Sequence, residues 1–346
     1  MLKNIPLAEL HAHLEGTITP NKAREIAARN NMSLPDDLFT EDGKSYAWKT
    51  KISDAGKFIN FLNAYDQATK VLQTAEDYTD ITHDYLIRCA DEGAIYIELI
   101  ISADHGKMIG LSYPEMVDAI AKGIDKAKEE TGIECRLLSA CVRHFGPEEA
   151  INVAKETVAY PHKYVTGFTM AGDENAHSVA DFKPAFDIAC KEGGLQATAH
   201  AGEAAGPQSI RDARDLLGLK RYGHMVRITE DPELMKEMLE MGVVPEVCVT
   251  SNLDIEVYPD YQSHPLRKLF DAGFAVTLGS DDPSFFNTSI SNEYKIAKEE
   301  FGFSDKDLKQ ITRNAINAAF VDEDTRIKLL TKLDNNGQKP QQAFKI

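Results

Sequence analysis

The chain has 346 residues, 43% of them hydrophobic and 27% charged, the composition of a soluble globular protein long enough to bury a substantial core. Its formal charge of −17 repels phosphate backbones and anionic lipid, which excludes nucleic-acid polymers and membrane surfaces as expected partners but not a small neutral ligand. Five cysteines, Cys89, Cys135, Cys141, Cys190 and Cys248, form an odd, irregularly spaced set without a CxxC pair and read as reduced core residues.

The start, MLKNIPLAEL, lacks the long apolar stretch of a secretory signal, and no window approaches the roughly 18 apolar residues of a membrane span. A cytoplasmic protein is expected. No low-complexity tract or Pro-rich linker divides the sequence, so residues 1–346 read as one domain.

In chain order, the first β-prone run is LAELHAHL (7–14). It ends on His11 and His13, which share one side of a strand because side chains alternate with period two. Residues 15–93 then hold helical pieces, NKAREIAARNN and AGKFINFLNAYDQATKVL, expected to pass over the mouth of the fold as a substrate lid. The next runs are AIYIELIIS (94–102), ECRLLSACV (134–142) and VTGFTMAG (165–172), with the helical stretch 114–130 between the first two. LQATAHAG (195–202) follows and brings His200 and Glu203; RYGHMVRI (221–228) carries His224.

A helix over 232–242 precedes VVPEVCVTSN (243–252), and FAVTLGSDD (274–282) closes on Asp281 and Asp282. Several helices end in glycine just before a strand (DEG, KEGG, EMG, DAG), the C-cap that an αβ loop requires. Eight strands alternating with helices predict an α/β fold, a (β/α)8 TIM barrel with extra helices inserted after the first strand. An open doubly wound sheet would carry a Gly-rich phosphate loop after its first strand, where this chain has HLEGT.

The reactive residue types fall at strand ends, which in a barrel open onto one face. Singly, each has an ordinary reading: HxH as two polar strand residues, HAGE as a hydrogen-bonded turn, SDDP as a helix N-cap, His224 as a core histidine. Together, three histidines and a carboxylate suit zinc with a position open for water. Glu203, His224 and Asp282 are left as acid–base and orienting groups. His83, His105, His162, His177 and His264 are expected to be surface or structural residues, and His144 ends the third strand within reach of the pocket.

Six motifs, HAHLEG, AGDE (171–174), HAGEAAGP (200–207), the YGH of the sixth strand, TSN (250–252) and SDDP (280–283), resemble the adenosine/adenine deaminase family, in that family's order and over nearly the whole chain. The resemblance implies that His11, His13, His200 and Asp281 hold one Zn²⁺ per chain. It implies that Glu203 protonates N1 of a purine while water activated by the metal adds at C6. His224 would orient and help deprotonate that water. Asp282 would bond N7, the backbone of Gly172 would lie near N3, and His13 and Glu15 would also touch substrate.

The implied reaction is zinc-dependent hydrolytic deamination of adenosine and 2′-deoxyadenosine, with deamination of adenine or another 6-substituted purine as the alternative. Two positions depart from the pattern. Met225 stands where many members have glycine, and Glu15 where adenosine deaminases usually have aspartate and adenine deaminases glutamate. AGDE and HAGEAAGP look more like the adenosine branch, so adenosine is the expected substrate. A binuclear amidohydrolase would place a modified lysine at the end of the fourth strand, where this chain has Met170–Ala171–Gly172. A non-catalytic purine-binding relative would have lost ligands or the acid, and all are present.

Overall fold

Runs rich in β-branched and aliphatic residues become parallel strands: β1 (Leu7–His13), β2 (Ala94–Ser102), β3 (Glu134–Val142), β4 (Val165–Ala171) and β5 (Gln196–Ala197) pair in that order. A second set, β6 (His200–Ala201), β7 (Arg221–His224), β8 (Val244–Val247) and β9 (Thr277–Leu278), also pairs consecutively and in parallel. The protein is seen here as a computed structural model that describes residues 5–50 and 56–336. β5 and β6 are two pieces of the fifth barrel strand. Across the break, Thr198 N donates to Phe168 O at 3.1 Å and Gly223 N to Ala199 O at 2.8 Å, so both edges stay joined. The ring closes where His13 N donates to Asp281 O at 2.8 Å and Asp281 N to His11 O at 3.0 Å. The TIM barrel is therefore complete.

The strands of the second half are shorter than their β-prone runs. The expected 221–228, 243–252 and 274–282 shrink to four, four and two residues. In the first and last of these the backbone turns left-handed, with φ of 60° and 57° at His224 and Met225 and 63° at Asp281, which takes the chain out of the ladder. Thr250 and Asn252, expected at a strand end, lie on a short helix, Val249–Asp254.

β2 is buried along its whole length, facing helices on one side and the barrel interior on the other. That interior is partly ionic. Arg221 places Nη1 2.7 Å from Glu98 Oε2 and Nε 2.6 Å from Glu246 Oε1, all three side chains being fully buried. Among the described residues no helix is long and apolar enough to cross a membrane.

The 15–93 segment divides in two. Its last helix, Ala75–Asp91, is the ordinary helix of the first βα unit, with a capping box between Thr74 and Asp77 and a turn through Gly93 into β2. Only the part before it forms the cover expected from the sequence. Trp48, Phe61 and Tyr65 bury themselves with Phe285 and Phe286, which follow β9. Tyr46 stacks on Phe285 with ring centroids 4.1 Å apart, and Trp48 Nε1 donates to Phe285 O at 2.9 Å. Residues 51–55, which include only the first residue of the second expected helical piece, Ala55, lie outside the described residues. Trp48→Ala removes the centre of this cluster and one buried hydrogen bond. It should lower unfolding stability by ~3 kcal/mol, read by urea denaturation, and a change below ~1 kcal/mol would show that the cover is not integral to the fold.

Candidate active site

β1 delivers His11 and His13 to the mouth of the barrel, the fifth strand delivers His200, and the turn after β9 delivers Asp281. His200 Nε2 lies 3.1 Å from His11 Nε2 and 3.3 Å from His13 Nε2. Asp281 Oδ1 lies 3.4 Å from His11 Nε2 and 3.3 Å from His13 Nε2. Contacts outside the cluster orient two of the rings. His200 Nδ1 meets Met170 O at 2.9 Å, and because a carbonyl only accepts, the proton sits on Nδ1 and the lone pair on Nε2. His11 Nδ1 meets Glu246 Oε2 at 2.9 Å in the same sense.

Burial opposes ionisation of Glu246, but Arg221 and His11 outweigh it and take its pKa down to about 2. Burial also disfavours charge on His11, yet hydrogen bonds to Asp281 and Glu246 push its pKa up to about 10. Ring nitrogens and one carboxylate oxygen that converge, with two of the rings backed by an outer partner, suit a divalent cation. The four residues expected to hold metal fit one.

Beside this cluster sits Glu203, on the turn after β6. Its backbone is held by a residue that the sequence reading left without a role. Glu174, the last of AGDE, accepts from Gly202 N at 2.7 Å, Glu203 N at 2.9 Å, Ala205 N at 2.8 Å and Ser209 Oγ at 3.0 Å. The charge of this carboxylate bears on Glu203. Burial, then the charges of Asp281 and Glu174, hold the Glu203 carboxyl well above the usual carboxylate range. Burial and Asp281 do the same to Asp282, whose Oδ1 has no hydrogen-bond partner. The three adjacent carboxyls are thus pushed apart: Asp281 down, against its burial, by hydrogen bonds to His11 and His13, and Glu203 and Asp282 up by burial.

His224 Nε2 lies 3.4 Å from Glu203 Oε1. His13, His200, Glu203, His224, Asp281 and Asp282 all line one cavity, with Gly172 on its wall. Phe58, Phe61, Leu62 and Tyr65 roof it from the helix Gly56–Thr69. His105 and His144 line it too. At Gly16 any side chain would collide with Asp282, since a Cβ there would lie 2.0 Å from its Oδ1.

Glu15 is buried directly behind this wall. It accepts from Ser102 N at 3.4 Å and Tyr65 OH at 3.5 Å, and those partners, not Glu15 itself, line the cavity. Burial lifts its pKa to about 7 against the pull of those donors.

The family model described as "Adenosine deaminase" matches residues 6–336. An adenine deaminase of Rhizobium rhizogenes is 45% identical over 96% of this chain and 100% of its own length. One of Agrobacterium fabrum is also 45% identical, over 96% of this chain and 99% of its own. Among solved structures, an adenine deaminase from Arthrobacter aurescens superposes with a TM-score of 0.87 at 27% identity, covering 96% of this chain and 98% of that one. A zinc-bound amidohydrolase from Burkholderia ambifaria gives 0.85 at 26%, covering 97% and 92%.

These relatives overturn adenosine as the expected substrate. The motifs that favoured it, AGDE and HAGEAAGP, build the turn that holds Glu203 beside the cation site. Glu15 was the position whose sequence reading pointed toward adenine, as the names of these relatives do.

Glu174→Gln puts an amide NH₂ against at least one backbone N–H, whichever way it turns. It should reduce kcat at least ~10-fold with metal content unchanged, measured by steady-state ammonia release and elemental analysis. Full activity would show that Glu174 does not hold the acid.

Proposed function

The chain belongs to the adenosine deaminase family, and within it we propose that this hydrolytic deaminase is a zinc-dependent adenine deaminase, converting adenine and water to hypoxanthine and ammonia. The observation that carries this reading is the buried Glu203 carboxyl, held above the usual carboxylate range, poised beside a four-residue cation site. The names of the relatives and the glutamate at position 15 support adenine as substrate. Three imidazoles with one carboxylate and the zinc-bound neighbour support the metal.

His11, His13, His200 and Asp281 would hold the cation, which when bound lowers the pKa of a water from 15.7 toward roughly 7. Everything else in the reaction is done by the chain's own groups. Glu203 gives its proton to N1 as the water oxygen bonds to C6, so negative charge never accumulates on the ring. The Glu203 carboxylate so formed takes a proton from that oxygen and passes it to N6. The C6–N6 bond breaks as N6 leaves as ammonia, and the remaining hydroxyl proton returns Glu203 to its acid form. His224 faces the attacking oxygen and orients it. Asp282, protonated, donates to N7. Gly172 has no side chain, so the purine edge bearing N3 can approach its backbone. The aromatic roof excludes bulk water.

Ammonia release from adenine, adenosine, 2′-deoxyadenosine and N6-substituted purines tests the substrate. Adenine should exceed adenosine in kcat/KM by ~10²-fold or more, because a pocket shaped for the base must lose packing to admit a ribose. A preference for adenosine would overturn the proposal. Glu203→Gln should keep one zinc per chain while kcat falls ~10²- to 10⁴-fold, the usual contribution of a general acid. Turnover within tenfold of the parent would remove Glu203 as the proton donor.

A further inference from the structure

A chain of hydrogen bonds runs from the outer loops of the barrel to His224 and determines where its proton sits. It starts at a backbone group whose polarity is fixed. Leu266 N lies 3.3 Å from His264 Nδ1, and an amide can only donate, so that Nδ1 carries a lone pair. Burial takes the pKa of His264 down to about 3, keeping the ring neutral with its single proton on Nε2. His264 Nε2 therefore donates to Asn252 Oδ1 at 3.2 Å. The amide of Asn252 must then turn its NH₂ the other way, where Nδ2 lies 3.2 Å from His224 Nδ1.

Reversing that amide would set NH₂ against the His264 N–H, so its orientation is determined. His224 Nδ1 accordingly accepts. Neither the Nδ1–H tautomer nor a doubly protonated ring fits there, because each would point a proton at a donor. The proton of His224 is left on Nε2, the atom without a hydrogen-bond partner, beside the acid. Asn252, His224 and His264 are all buried, so water does not compete for these bonds. Tyr258 and Phe301 hold the His264 ring edge-on, with centroids 5.1 and 5.8 Å away.

We propose that Asn252 and His264 are positioning residues that lock His224 as its Nε2–H tautomer, so that His224 meets the attacking water as a hydrogen-bond donor to oxygen, not as a base for its proton. This rests on the deaminase reading above and alters one role implied by the family resemblance. A donor at Nε2 steadies an electron-rich oxygen and leaves proton transfer to Glu203.

The test uses zinc-loaded full-length protein labelled with ¹⁵N-histidine. In the parent, the His224 ring, assigned by comparison with His224→Gln, should show Nε2 protonated and Nδ1 bare. Asn252→Asp replaces the donor by a carboxylate of the same shape, which accepts from Nδ1 and should invert the tautomer. Its kcat on adenine should fall ~10²- to 10⁴-fold, the scale of a wrong-tautomer histidine, while KM and zinc content change less than ~3-fold. His264→Gln, which can still donate to Asn252, should retain more of kcat than His264→Leu.

A parent spectrum with Nδ1 protonated would overturn the proposal, as would an inverted tautomer with undiminished kcat. Should Asn252→Asp fail to fold, the parent spectrum and the paired His264 variants decide it. If the parent does not deaminate adenine, the substrate reading fails while the spectrum still judges the tautomer.

Discussion

The seam that closes the barrel also builds the cation site. Two backbone hydrogen bonds, His13 N to Asp281 O and Asp281 N to His11 O, join the first strand to the turn after the last. The side chains of those same three residues converge, with His200 entering from the opposite side of the ring. Closing the sheet and assembling the ligands are thus one event, because the register that pairs β1 with the end of β9 fixes the separation of the donors. A slip of one residue would turn His11 and His13 to the other face of the strand. The left-handed backbone at Asp281 belongs to the same constraint, ending the ladder there and aiming its carboxylate back toward the histidines.

Beneath the site, the barrel axis is occupied by Glu98, Arg221, Glu246 and His11 in a continuous ionic chain. Burying such a chain is costly unless every member is paired, and apolar residues would fill the volume at less expense. What it supplies is orientation. Glu246 receives the His11 Nδ1 proton and so faces the Nε2 lone pair outward, while Arg221 keeps Glu246 ionised. His200 achieves the same through a carbonyl, without an added charge.

Much of this was legible in the sequence, for a specific reason. In a barrel, function sits at strand ends, and strand ends are where a β-prone run meets polar residues, so HAHLEG, HAGE and SDDP marked the site directly. The residues that support them were less visible. Glu174 works through four donors brought together by folding, and nothing in the letters AGDE reveals that they cradle the turn 29 residues later. Asn252 and His264 are 28 and 40 residues from the ring they govern, and their pairing depends on a short helix where a strand was expected. The broken fifth strand was hidden as well, since LQATAHAG is continuous in β propensity and only its neighbours show where the ladder parts. Substrate choice misled for a related reason: AGDE and HAGEAAGP build the turn beside the cation site, while Glu15, the one position read toward adenine, sits behind the cavity wall.

Met225 shows how a departure from the family pattern is accommodated. It occupies a left-handed conformation directly after another at His224, a geometry that costs a non-glycine residue about 1–2 kcal/mol. Glycine would avoid that strain but would contribute no side chain. Met225 is completely buried in the main core, and burying a methionine is worth about 1.5–3 kcal/mol, enough to offset the strain. Its N–H also reaches Ala201 O at 3.1 Å and Gly223 O at 2.9 Å, so the turn stays tied to the fifth strand whatever side chain it carries. The turn itself aims His224 Nε2 at the cavity and leaves Nδ1 facing Asn252. Glycine can therefore be replaced here without moving the imidazole, because the backbone requirement is positive φ and the added side chain is absorbed by the core.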